Sequence, residues 1–155
     1  MSENIYIHYG SDKFERELFM PIVNREMFTK PYGGLWASDV ESNDSWKQFC
    51  LESEWRINRL NKSFKFQIDE SARIIQLTNI EDLKQLPRQT MPKNHIEILD
   101  KEEMWICPDF EQLVKDGVDA VQLNLSTGDY ELYYKLYMWD CDSILIMNPD
   151  IIKPM

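Results

Sequence analysis

The sequence predicts an α+β fold, with about six strands in two small, mostly antiparallel packed sheets and short flanking helices. Three observations carry this. Strand-like and helix-like segments intermix without the regular alternation of a doubly wound sheet. Phe64-Lys65-Phe66-Gln67-Ile68 alternates apolar and polar residues, as a half-buried strand does. The 155 residues are 43% apolar and 28% charged, the proportions of one soluble globular domain spanning 1–155.

The elements follow in chain order. Residues 4–9 are β-branched and aromatic and read as a strand. Residues 12–22 read as a short helix opening at Asp12, with Phe14, Leu18 and Phe19 on one face. Residues 24–42 hold Pro31, Gly33 and Gly34 and read mainly as loop, with a short strand at 34–37. Residues 43–61 form the strongest helix, capped by Ser42 or Asn43, with Trp46, Phe49, Cys50, Ile57 and Leu60 at helical spacing.

The alternating segment 64–68 then turns at Asp69-Glu70-Ser71 into a partner strand, Arg73 to Thr78. Asn79 caps a short helix that Pro87 stops. Residues 88–105, with Pro92 and the charged run 100–103, read as an exposed connection and a place for specificity. Pro108 and Asp109 open another helix, ending at Gly117. Asp119 to Leu125 reads as a strand, and Thr127-Gly128-Asp129 as a turn. Tyr130 to Trp139 fits either strand or helix. Ser143 to Met147 is an apolar strand ended by Asn148-Pro149-Asp150.

The net charge of −10 argues against a surface that tracks nucleic-acid phosphates. A local basic patch stays open at Arg56, Arg59 and Lys62 near a helix end, where a solvated helix face is the favoured reading. Cys50, Cys107 and Cys141 are an odd count without paired spacing, which fits a reducing cytosol. With two histidines and no Cys-x-x-Cys there is no zinc pattern, and no metal is expected. No signal peptide or membrane-spanning run is legible, so a soluble, cytoplasmic protein is expected.

Three constellations could carry chemistry. His8 lies at a strand end, followed by Gly10 and Ser11, whose amides and hydroxyl can meet a polar ligand. Trp36 stands behind two glycines and before Ala37-Ser38, which leaves room at its face; Trp46 could add a second aromatic wall. Asp140 and Asp142 lie in an otherwise aromatic and apolar stretch, where carboxylates suit electrostatic catalysis. Cys141 between them has no paired base, and His95, Glu52 and Glu54 read as surface groups.

In order, these motifs resemble the ADP-ribosyltransferase superfamily, in the His-Tyr-Glu branch of polymerase and diphtheria-toxin type. Tyr6-Ile7-His8-Tyr9-Gly10-Ser11 resembles its first strand, and Gly34-Leu35-Trp36-Ala37-Ser38 its Gly-apolar-Tyr-Phe-Ala motif. Ser45 and Trp46 resemble its Ser-x-x-Tyr segment, and residues 142–149 its final strand. The resemblance implies a split β-sandwich with NAD as substrate. It assigns His8 to the adenosine ribose, with Tyr9, Gly10, Ser11, Gly34, Trp36, Ser38, Ser45 and Trp46 around the cofactor. Tryptophan stands at the second-motif tyrosine, and Ser143 at the catalytic glutamate, so Asp142, or Asp140, with His8, forms the implied catalytic set. The implied activity is transfer of single ADP-ribose units to a macromolecular acceptor, a protein before a nucleic acid. The alternatives are a non-catalytic NAD- or ADP-ribose-binding module and an NAD glycohydrolase. A toxin-like role in conflict between phage and bacterium accompanies the resemblance.

Overall fold

The computed structural model describes residues 4–26, 28–89, 105–136 and 138–155. Their seven strands are β1 (Tyr6–Tyr9), β2 (Leu35–Asp39), β3 (Ser63–Ile68), β4 (Ile74–Leu77), β5 (Ala120–Leu123), β6 (Ser143–Ile146) and β7 (Ile152–Pro154). They form one mixed sheet in the order β4-β5-β6-β2-β1-β3-β7. Only β4 and β5 pair in parallel. The helices among the described residues are α1 (Trp46–Ser53), α2 (Ile80–Lys84), α3 (Phe110–Lys115) and α4 (Tyr130–Lys135). The class is α+β, as expected. No helix among the described residues is long and apolar enough to cross a membrane.

The run Ser143-Ile144-Leu145-Ile146 explains the centre of the sheet. All four residues of β6 are buried, because both faces of the strand are covered. Leu145 points into a core with Leu77, Val121, Leu123 and Trp139, and Leu83, Phe110, Leu113 and Leu132 bring α2, α3 and α4 onto it. Ile144 and Ile146 point the other way, into a core with Tyr6, Phe66, Ala120 and Ile152. Each buried aliphatic side chain contributes roughly 1.5–3 kcal/mol over an exposed one, so β6 anchors both cores.

The short helices start where polar caps stop backbone amides from going unpaired. Asn79 and Asp82 form a reciprocal capping box on α2. Asp109 accepts from Gln112 N at 3.0 Å. Asp129 accepts from Leu132 N at 3.1 Å and also from Ile80 N at 2.8 Å, which ties α4 to α2.

Several expectations are corrected. The helix at 12–22 is only a 3-10 turn at Arg16–Leu18. The long helix at 43–61 stops at Ser53 and is capped by Ser45, not Ser42 or Asn43. Glu54 and Arg56 take φ values of 53° and 52°, in the left-handed region. That double turn lets Trp55 pack edge-on against Trp46 and Phe49, at ring distances of 5.8 and 6.3 Å. A 3-10 helix follows at Ile57–Asn61. The stretch 130–139, open between strand and helix, begins as α4. β7 has no forecast: its three residues gain a partner only when β3 offers a free edge. The exposed connection expected at 88–105 falls, for 90–104 and His95, outside the described residues.

Candidate functional site

The site begins where two strands part. β1 pairs with β2 at Tyr6↔Asp39 and Ile7↔Ser38, and there the ladder ends. On its other edge β1 stays paired with β3 as far as Tyr9↔Ser63. β2 meanwhile turns its earlier residues, Leu35 to Ala37, to β6. The wedge between β1 and β2 leaves the Trp36 carbonyl without a ladder partner, and His8 supplies one: Nδ1 lies 2.6 Å from Trp36 O. A carbonyl only accepts, so Nδ1 carries the proton and, in the neutral ring, Nε2 is left as an acceptor. Burial pushes the His8 pKa below its ordinary value, against the opposing pull of the Trp36 carbonyl. The imidazole is therefore neutral near neutral pH.

A cavity of about 260 Å³ opens in this wedge. His8, Tyr9, Gly10, Trp36 and Trp46 line it, so the structure brings these five expected residues together. The remaining ones lie elsewhere. Ser11 and Gly34 line a smaller cavity of about 190 Å³ beyond His8, with Phe14 and Phe64. Ser38 is buried; its hydroxyl donates to Asp142 O at 3.3 Å and accepts from Trp46 N at 3.0 Å. It fixes the start of α1 against the β6 approach. Ser45 caps α1 by accepting from Gln48 N at 3.3 Å.

The two acids separate. Asp142 lines another cavity, with Asp39, Glu41 and Asp44, and not the one that holds His8. Both its oxygens are engaged: Leu125 N donates to Oδ1 at 2.6 Å and the Ser42 hydroxyl to Oδ2 at 3.0 Å. It bridges two loops, so the structure does not place it in the His8 cavity as the implied catalytic set requires. Asp140 sits at a φ of 66°. Burial raises its pKa, and the charge of Lys30 partly opposes the rise. No carboxylate is among the described residues that line the His8 cavity.

The glycines before Trp36 do not clear its face. Gly33 has a φ of 81°, and a Cβ there would stand 2.1 Å from the Pro21 carbonyl oxygen. At Gly34 a Cβ would meet Leu145 Cδ1 at 2.7 Å. They allow backbone to pack on backbone. Trp36 itself meets Trp139 edge-on at 4.7 Å, and Trp139 Nε1 donates to Thr29 O at 2.8 Å. Cys141 also lines the cavity, but burial pushes its thiol up to about 12, which removes it as a nucleophile.

Three cavity residues were not placed in the site by the sequence: Lys30, and the basic pair Arg56 and Arg59. Arg56 and Arg59 are exposed, as the solvated-face reading expects, but the double left-handed turn also sets them along the cavity. Lys30 lies in a segment legible only as loop. Its ammonium stands 4.9 Å from the Trp36 ring centre and 5.9 Å from that of Trp46. Burial lowers its pKa, and Asp140 partly restores it. An excess of cations beside tryptophans was the available signal.

Compared with protein-family models, curated proteins and solved structures, the chain has no match.

Proposed function

We propose that the chain is an ADP-ribosyltransferase-type domain that takes NAD in the His8 cavity and transfers its ADP-ribose to a macromolecular acceptor. The observation that carries this reading is the parting of β1 from β2 at His8, with two tryptophans and a neutral imidazole on the walls of the gap.

A split sandwich is the matching architecture. Tyr6 OH on β1 donates to Gln122 Oε1 on β5 at 3.2 Å. Three strand spacings separate β1 from β5 in the sheet order, about 14 Å if the sheet were flat. A direct hydrogen bond across that span supports two halves folded over one another about β2. The shared core of Phe66, Ile152, Ala120 and Ile146 supports the same folding.

The residues divide the work as follows. His8 Nε2 accepts from a ribose hydroxyl, while its Nδ1 stays on the Trp36 carbonyl. The smaller cavity beyond His8, with Phe14 and Phe64, gives room for the adenine base. Trp36 and Trp46 supply aromatic surface for nicotinamide. Breaking the nicotinamide–ribose bond develops positive charge on the ribose, as glycoside cleavage does. Asp140 is an acid whose charge acts on the cavity residue Lys30, and it offers the compensating carboxylate.

A second reading is an NAD- or ADP-ribose-binding module without transfer. The lack of a carboxylate among the described residues that line the cavity favours it. Incubation with NAD, a cell extract as acceptor source and a readout of free nicotinamide separates the two. The transferase reading expects release that falls at least tenfold in His8→Ala and in Asp140→Asn. Binding of NAD by calorimetry with no release sinks transfer and leaves the module. Release without a mass-shifted macromolecule identifies hydrolysis. Neither binding nor release refutes both readings.

A further inference from the structure

The cations of the cavity carry an inference beyond the ring-binding residues. The chain is acidic, with a net charge of −10, yet Lys30, Arg56 and Arg59 line one cavity of about 260 Å³. Among the described residues none of the three forms an ion pair. Two of the three cationic heads, those of Lys30 and Arg56, are held by aromatic faces instead. The Arg56 guanidinium lies 4.5 Å from the Trp55 ring centre, and Lys30 stands over Trp36 and Trp46. Arg56 is also one of the few non-glycine residues in the left-handed region, a conformation retained where the surroundings over-determine it.

Aromatic faces position a cation without neutralising it. Three cations around one concavity, two of them so held, leave a local positive field on an otherwise acidic protein. An anion with more than one charge and several oxygens fits that field. We infer that Lys30, Arg56 and Arg59 grip a diphosphate, the bridge between the two nucleoside halves of the ligand. This assignment rests on the proposed reading of the cavity as a dinucleotide site. The volume is below the roughly 300–1,000 Å³ of cavities that enclose whole drug-sized ligands. It suits the middle of a dinucleotide, whose ends run on towards the cavity beyond His8 and out to solvent.

Lys30 gains a second consequence. Its ammonium occupies the aromatic face that a positively charged nicotinamide ring needs. A diphosphate draws the ammonium off Trp36 and Trp46 and frees that face. Diphosphate binding then precedes ring stacking, and ADP binds without help from a nicotinamide group.

Calorimetry on the full chain tests this with ADP, ADP-ribose, inorganic pyrophosphate and adenosine as separate probes. ADP and ADP-ribose are expected to bind, and adenosine to bind at least tenfold more weakly. Lys30→Gln and Arg59→Gln are each expected to weaken ADP at least tenfold. Lys62→Gln, a cation of the same segment that does not line the cavity, is expected to leave ADP affinity within twofold. Circular dichroism melts confirm that each variant is folded. Pyrophosphate binding as tight as ADP identifies a plain diphosphate site, which supports the grip and removes the nucleoside requirement. ADP affinity unchanged in both cavity variants, or adenosine binding as tightly as ADP, overturns the inference. Nicotinamide release that persists beside that result leaves the proposed function standing. A diphosphate grip without nicotinamide release does the reverse.

Discussion

Asp142→Ala is the substitution that most sharply separates a catalytic from an architectural carboxylate. In the structure Oδ1 accepts from Leu125 N at 2.6 Å, and Oδ2 from the Ser42 hydroxyl at 3.0 Å. A hydrogen bond to a charged acceptor is worth roughly 1.5–3 kcal/mol when the partner is left without a substitute. Leu125 N–H is half-buried, so its loss falls in the lower part of that range. The Ser42 hydroxyl can turn to water, which limits its share to about 0.5–1 kcal/mol. The sum is about 2–3 kcal/mol. A domain of this size loses about 2–4 °C of Tm per kcal/mol, so a drop of roughly 5–10 °C is expected. Asp142→Asn keeps an oxygen for Leu125 and is expected to lose only about 1 kcal/mol. Differential scanning calorimetry reads both. If Asp142→Ala melts within about 1 °C of wild type, the bridge carries no weight and the reasoning fails. If Asp142→Asn keeps the wild-type Tm but abolishes nicotinamide release, the carboxylate is catalytic after all.

Gly33→Ala is expected to destabilise by roughly 3 kcal/mol or more, because a Cβ meets backbone oxygens of Met20 and Pro21 in addition to an unfavourable φ. Gly128→Ala, at a φ of 73° with open space, is expected to cost only about 1 kcal/mol, and equal urea midpoints for the two variants would contradict this. His8 has a folded pKa below its unfolded value near 6.5, so its contribution is full above that pH. As pH falls below it, the unfolded chain takes the proton first, and stability declines by at most about 1.4 kcal/mol per unit until the folded pKa is reached. Urea titrations from pH 7 to 5 should show a shallower decline in His8→Gln than in wild type; an equal slope rejects the assignment. Cys50, Cys107 and Cys141 are buried thiols, and burial pushes Cys107 up to about 11 and Cys141 to about 12. All three should resist a thiol reagent at pH 8 in the native protein and react on unfolding; rapid native labelling at Cys141 would reopen it as a nucleophile.

Strand positions were the legible part of the fold because their signals are local; their pairing was not, and the strand at 73–78 expected to partner 64–68 pairs with β5 instead. The alternation at 64–68 and the apolar run at 143–146 each report burial on one or both faces without reference to the rest of the chain. The caps at Asn79 and Asp109 are likewise written within four residues. The helix at 43–61 was only partly legible. Its apolar spacing continues past Ser53, but the chain turns there and sets Trp55 edge-on against Trp46 and Phe49. Helical propensity differs among residues by tenths of a kcal/mol, and tertiary packing of one tryptophan outweighs it.

The sequence by itself determined the α+β class, most strand positions, and the placing of His8 at a strand end two residues before Gly10. Each depends on neighbours a few residues apart. Only the tertiary structure decided which groups face the same cavity. It separated Asp142 from His8 because the former's two oxygens satisfy backbone and hydroxyl donors on distant loops. It also brought Lys30, Arg56 and Arg59 to the cavity, through a turn and a loop that no period encodes. Charges act through space at distances the chain reaches only by folding, so a cationic cavity inside an acidic protein is invisible to composition.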